Sequence, residues 1–129
     1  MTTELTMLAW TLVLALVYVI AFDLVRTRQY GAKWNMGARD DVMPPLSAVA
    51  DRLGRAQANL FETLPVFAAA VLIAHVAGVH SRWTVLGTEI YFWARLIYLP
   101  LYAFGVPVVR SIVWIVSLAG LLMVLLAVL

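Results

Sequence analysis

Leu5–Phe22 reads LTMLAWTLVLALVYVIAF and holds no charged residue, and its reading decides the fold. A run of this length and composition is long enough to cross the hydrocarbon core of a bilayer as a helix. Working outward, Asp23–Arg55 is polar and is interrupted by Gly31, Gly37, Pro44 and Pro45, which is the pattern of a long loop. Beyond it, Ala-, Val- and Leu-rich sequence resumes. The spans are expected at residues 5–25, 56–79, 83–104 and 110–129. Pro65 lies inside the second, where its missing N–H and its ring predict a kink. Gly105 and Pro107 mark a short turn before the last span.

The composition agrees with this pattern. The chain is 64% hydrophobic and 12% charged, against roughly 25% charged in an ordinary soluble domain, which excludes a water-soluble fold. In lipid every backbone polar group needs an internal partner, so apolar segments of this length are helices. The expected fold class is therefore all-α, an integral membrane four-helix bundle forming a single domain over 1–129. The start lacks a basic region and its apolar run is longer than a signal-peptide core, so the first segment is expected to be retained. There is no cysteine, which removes disulfides, thiolate metal sites and a cysteine nucleophile. A net charge of +2 is too small to point to nucleic acid.

The basic residues are unevenly spread. Arg26, Arg28, Lys33, Arg39, Arg52 and Arg55 flank the first loop and Arg110 follows the third span, whereas the other side has Arg82 alone. The positive-inside bias then predicts a cytoplasmic first loop and places both termini on the opposite side, periplasmic if the membrane is a bacterial inner membrane.

Charged residues at membrane depth are costly and mark polar interiors. Counting from Arg55, Glu62 lies about 10 Å into its helix; counting from Gly105, Arg95 lies about 15 Å in, near the middle of a core about 30 Å thick. Arg55, Asn59 and Glu62 recur at i, i+4 and i+7, and Tyr91, Arg95, Tyr98 and Tyr102 at i, i+4, i+7 and i+11. Each set makes one helical stripe, and with Arg110 they outline a basic, hydroxyl-rich cavity suited to a carboxylate-bearing ligand. An apolar co-substrate could enter from the lipid.

Plainer roles are open for the same residues. Glu62 could pair with Arg95 in a clamp that holds an assembly together. Arg52 and Arg110 could be cytoplasmic anchors, and Tyr98 and Tyr102 core or interfacial aromatics, as could Trp10, Trp83 and Trp93. His75 and His80 have no second ligand at suitable spacing, so no metal is expected. Asp23 is expected to pair with Arg26 or Arg52, and Glu89 to reach the outer interface or Arg82.

Two motifs carry a family resemblance. Arg55-Ala56-Gln57-Ala58-Asn59-Leu60-Phe61-Glu62-Thr63-Leu64-Pro65 resembles the second-helix signature of MAPEG, the membrane-associated proteins in eicosanoid and glutathione metabolism. Ala94-Arg95-Leu96-Ile97-Tyr98 followed by Tyr102 is similar to the third-helix signature, and Arg110-Ser111 after the third span fits too. The resemblance implies a homotrimer with glutathione as co-substrate, bound between subunits and used against a lipophilic small molecule by thiol transfer or reduction. Carried over by residue, Arg55, Asn59, Glu62, Arg95, Tyr98 and Tyr102 would bind the peptide, and Arg110, Tyr98 and Ser111 would assist the thiol. The chain departs from some members at Ala58 (arginine there), Tyr98 (histidine) and Trp114 (tyrosine). Two other functions compete: a non-enzymatic membrane protein using the cavity for another anion or for assembly, and a small drug-efflux transporter. The transporter ranks last because Leu5–Phe22 has no carboxylate.

Overall fold

The computed structural model describes residues 1–129 and is all-helical. Its elements are α1 (Thr3–Tyr30), α2 (Ala32–Met36), α3 (Ala48–Val76), α4 (Arg82–Ala103) and α5 (Pro107–Val128). The long helices alternate in direction. Glu4 of α1 meets Thr84 of α4 at one end of the bundle, and Arg52 of α3 reaches the carbonyl of Ala103 at the other. Helices α3 and α4 touch each other and both α1 and α5, so they form the middle of the bundle.

The helix ends are written locally. Thr2 caps α1, its hydroxyl accepting from the Leu5 N–H, and Ser47 caps α3, accepting from Ala50 with Asp51 in the first turn. That cap explains why α3 begins at Ala48 and not at Ala56 as the apolar pattern suggests. Polar first turns extend the helix beyond the hydrophobic run. At the end of α3, Gly78 (φ 70°) follows the cap. The N–H groups of Gly78 and Val79 return to the carbonyls of His75 and Ala74. Gly105 (φ 71°) and Val106 do the same for Tyr102 and Leu101 at the end of α4. These are paired Schellman closures, which need a residue at positive φ. Ser81 and Thr84 form a reciprocal capping box at the start of α4, and Pro107 opens α5 with the φ that a first helical residue requires.

The expected loop contains one unexpected helix. Residues Ala32–Met36 form the single turn of α2, folded back so that Trp34 meets Tyr30 edge-on at 4.7 Å. The rest of the loop is tied to the end of α1. Gln29 donates to the Pro45 carbonyl and accepts from the Ser47 N–H, and Tyr30 donates to the Pro44 carbonyl.

Apolarity alone identifies three crossing helices, α1, α3 and α5. The expectation of four apolar spans is met at those three. α4 is as long as α5, 22 residues, but carries Thr84, Thr88 and Arg95, all buried. Its central place supplies partners for polar groups that lipid could not accept. Its outer face remains apolar, with Trp83, Leu86, Trp93 and Ile97 exposed.

Lipid tails are as apolar as leucine, so helix association here relies on close packing. Gly87 and Gly120 bring the backbones of α4 and α5 together: a Cβ on Gly120 would lie 2.6 Å from the Gly87 carbonyl oxygen. Between α3 and α4, Phe67 and Tyr91 stack at 3.9 Å and 12°.

Candidate functional site

Arg95 is fully buried, and α3 supplies its partners. One terminal nitrogen donates to Asn59 Oδ1 at 2.7 Å and the other to Thr63 Oγ1 at 3.1 Å. Tyr91 OH lies 2.8 Å from the same Thr63 oxygen. The guanidinium also lies 5.0 Å from the Tyr98 ring centroid and 5.6 Å from that of Tyr91, where a desolvated cation gains on the order of 2 kcal/mol. From α1, Tyr18 donates to the Arg95 backbone carbonyl at 2.5 Å. Side chain and backbone of this residue are therefore held by two different helices. Arg95 Nε is buried and has no protein partner.

Beside this cluster is a cavity of about 340 Å³ lined by Asn59, Tyr98, Arg110, Ser111, Trp114 and Ile115. The volume is near the lower limit of about 300 Å³ for small-molecule sites. Four of the expected site residues, from three helices, thus share one lumen. At its rim, Arg110 sits 4.6 Å and Arg55 5.7 Å from the Tyr102 ring centroid, and Tyr102 meets Tyr98 edge-on at 5.5 Å. The basic end of the bundle is held together by aromatic faces as much as by carboxylates.

Two expectations need correcting. Glu62 does not join the cluster and does not pair with Arg95: it is exposed on the outside of the subunit, and no ion pair includes it. Successive helical residues are about 100° apart. Once Thr63 faces Arg95, its neighbour Glu62 must point to another side. Arg55 is likewise largely exposed, with Asp51 3.4 Å away. Arg52 donates to the Ala103 carbonyl at 3.0 Å and so fastens the α4 end, and Asp23 pairs with Arg26 at 3.0 Å.

Sequence reasoning missed Thr63, Tyr18 and the wall residue Ile115. Thr63 was findable, because Asn59 and Thr63 are i and i+4 and share a face as well as Asn59 and Glu62 do. Tyr18 had no local signal in its apolar run. Trp114, which stands where some MAPEG members have tyrosine, forms part of the cavity wall.

A bundle with three apolar crossing helices and a buried arginine at its centre defines an integral membrane protein with an internal polar site. The profile of the MAPEG family matches residues 7–129, and the chain belongs to that family. No individual curated protein matches it.

Proposed function

We propose that the chain crosses the bilayer four times, assembles as a homotrimer, and binds glutathione at its arginine-rich end, using the thiol against a lipophilic substrate. The observation that carries this reading is the shared cavity of Asn59, Tyr98, Arg110 and Ser111. Its donors suit a peptide carboxylate and a sulfur anion. A guanidinium lowers a nearby thiol's pKa by favouring the thiolate, and a hydroxyl from Ser111 or Tyr98 can donate to that sulfur. The wall of the site invites completion by a second copy. The cavity is small for a tripeptide, while Arg55 and Glu62 stand exposed on the same helix. An unpaired carboxylate facing lipid is costly, and a neighbouring subunit would cover it. α4, about 33 Å long at 1.5 Å per residue, matches the core thickness and would be the fourth crossing. The bias of Arg26, Arg28, Lys33, Arg39, Arg52, Arg55 and Arg110 to one end makes that end cytoplasmic.

Glutathione titrated into the detergent-solubilised protein should bind and produce thiolate absorbance. Arg110→Ala should lose the thiolate, and Arg55→Ala should weaken binding. Absence of binding at millimolar peptide would remove this reading.

A second reading is favoured by the sealing of Arg95 against Asn59 and Thr63: the polar cluster serves assembly, without conjugation. In that case Arg95→Ala disrupts the oligomer, and no electrophile is consumed by the wild type.

A further inference from the structure

The opposite end of the bundle holds a buried acid that the arginine cluster does not use. Glu4, in the first turn of α1, is only 4% exposed. Its Oε1 accepts from Thr84 Oγ1 of α4 at 2.6 Å and faces His80 Nδ1 of the α3–α4 connection at 2.7 Å. Its other oxygen, Oε2, is buried and has no partner. Glu4 also lines a lumen of about 240 Å³, together with Thr2, Ala74, His75, Gly78, Val79 and His80.

Neither lysine nor arginine contributes to that lining. A buried carboxylate needs a compensating charge or a full set of donors; here the one candidate charge, His80, exists only when the imidazole is protonated, and both partners sit on Oε1, leaving Oε2 with none. We infer that the lumen binds the primary ammonium group of a small amine, whose N–H bonds complete the Glu4 carboxylate. The chemistry selects this ligand over others. An anion would be repelled by Glu4. A divalent metal lacks a donor set, because His80 Nδ1 is engaged with Glu4 and no three acidic or imidazole groups gather as ligands. A quaternary ammonium carries charge but no N–H to offer the orphan oxygen. The lumen is at a helix end, so the amine could come from solution or from a lipid headgroup. The inference is independent of glutathione binding at the other end.

The test titrates ethanolamine, and choline as control, into the full-length protein in nonionic detergent. A second arm places the protein in nanodiscs of phosphatidylethanolamine or of phosphatidylglycerol. Binding is read by calorimetry and by the ¹³C carboxyl shift of Glu4. Ethanolamine should bind saturably and shift the Glu4 signal, choline should do neither, and Glu4→Gln should weaken binding by about tenfold or more, the worth of a charge-assisted hydrogen bond. A shift of Glu4 in phosphatidylethanolamine nanodiscs alone assigns the amine to lipid; a shift with free ethanolamine in detergent assigns it to solution. If Glu4→Gln does not fold, the wild-type carboxyl shift decides. An unmoved Glu4 signal with every amine, or equal binding of ethanolamine and choline, overturns the inference.

Discussion

Replacing Thr63 by valine removes one hydroxyl and leaves the side-chain shape almost unchanged. In the native arrangement that hydroxyl is used completely. Thr63 Oγ1 accepts from Arg95 at 3.1 Å, can accept from Tyr91 at 2.8 Å, and has the Leu60 carbonyl within reach of its own proton at 3.4 Å. One donor and two lone pairs are the whole capacity of a hydroxyl. Valine would leave a guanidinium donor and a tyrosine hydroxyl unpaired in the middle of the bundle. The loss of a hydrogen bond to a charged group costs about 1.5–3 kcal/mol in soluble proteins. Interhelical hydrogen bonds in membranes average about 0.6 kcal/mol, with a maximum near ~1.7, because the dissociated helices find other partners. Two bonds are lost and one involves a charge, so about 2 kcal/mol is expected. Reversible unfolding by SDS in mixed micelles would measure it for wild type, Thr63→Val, Tyr91→Phe and the double variant. Thr63→Ser should remain near wild type. The single variants should be non-additive, since both remove the Thr63–Tyr91 bond. A Thr63→Val change below about 0.3 kcal/mol, or strict additivity with Tyr91→Phe, would refute the network and the central role given to Arg95.

Gly120→Ala should destabilise the bundle by about 1–3 kcal/mol in the same assay, because its Cβ would meet backbone atoms at 2.6 Å and 2.8 Å that cannot turn aside. Tyr18→Phe removes the tie between α1 and the Arg95 carbonyl and should speed amide exchange along the α1–α4 contact; unchanged exchange would show that packing alone holds it. Arg55→Ala should alter subunit stability by no more than about 0.5 kcal/mol, since its pair with Asp51 is largely exposed. A larger loss of subunit stability would mean that Arg55 serves the fold itself.

The helical class, the membrane setting and the inward placement of Arg95 were legible in the sequence because they rest on one-dimensional signals. A long apolar run can satisfy its backbone in lipid only as a helix, and a charge within such a run must turn inward. Glycine, proline and serine at the helix ends act through their own dihedral angles and local hydrogen bonds, so they too are readable without knowing the fold. Tertiary structure alone decided which polar residue Arg95 meets. Glu62 and Thr63 are adjacent in the chain, and periodicity admits either; the rotation of α3 against α4 selects Thr63 and sends the carboxylate outward. The same holds for Tyr18 and for the Glu4–His80–Thr84 cluster, whose members are 76 and 80 residues apart. Such contacts depend on the relative placement of whole helices, which is fixed by close packing at places like Gly87 and Gly120 and leaves no period or spacing in the chain.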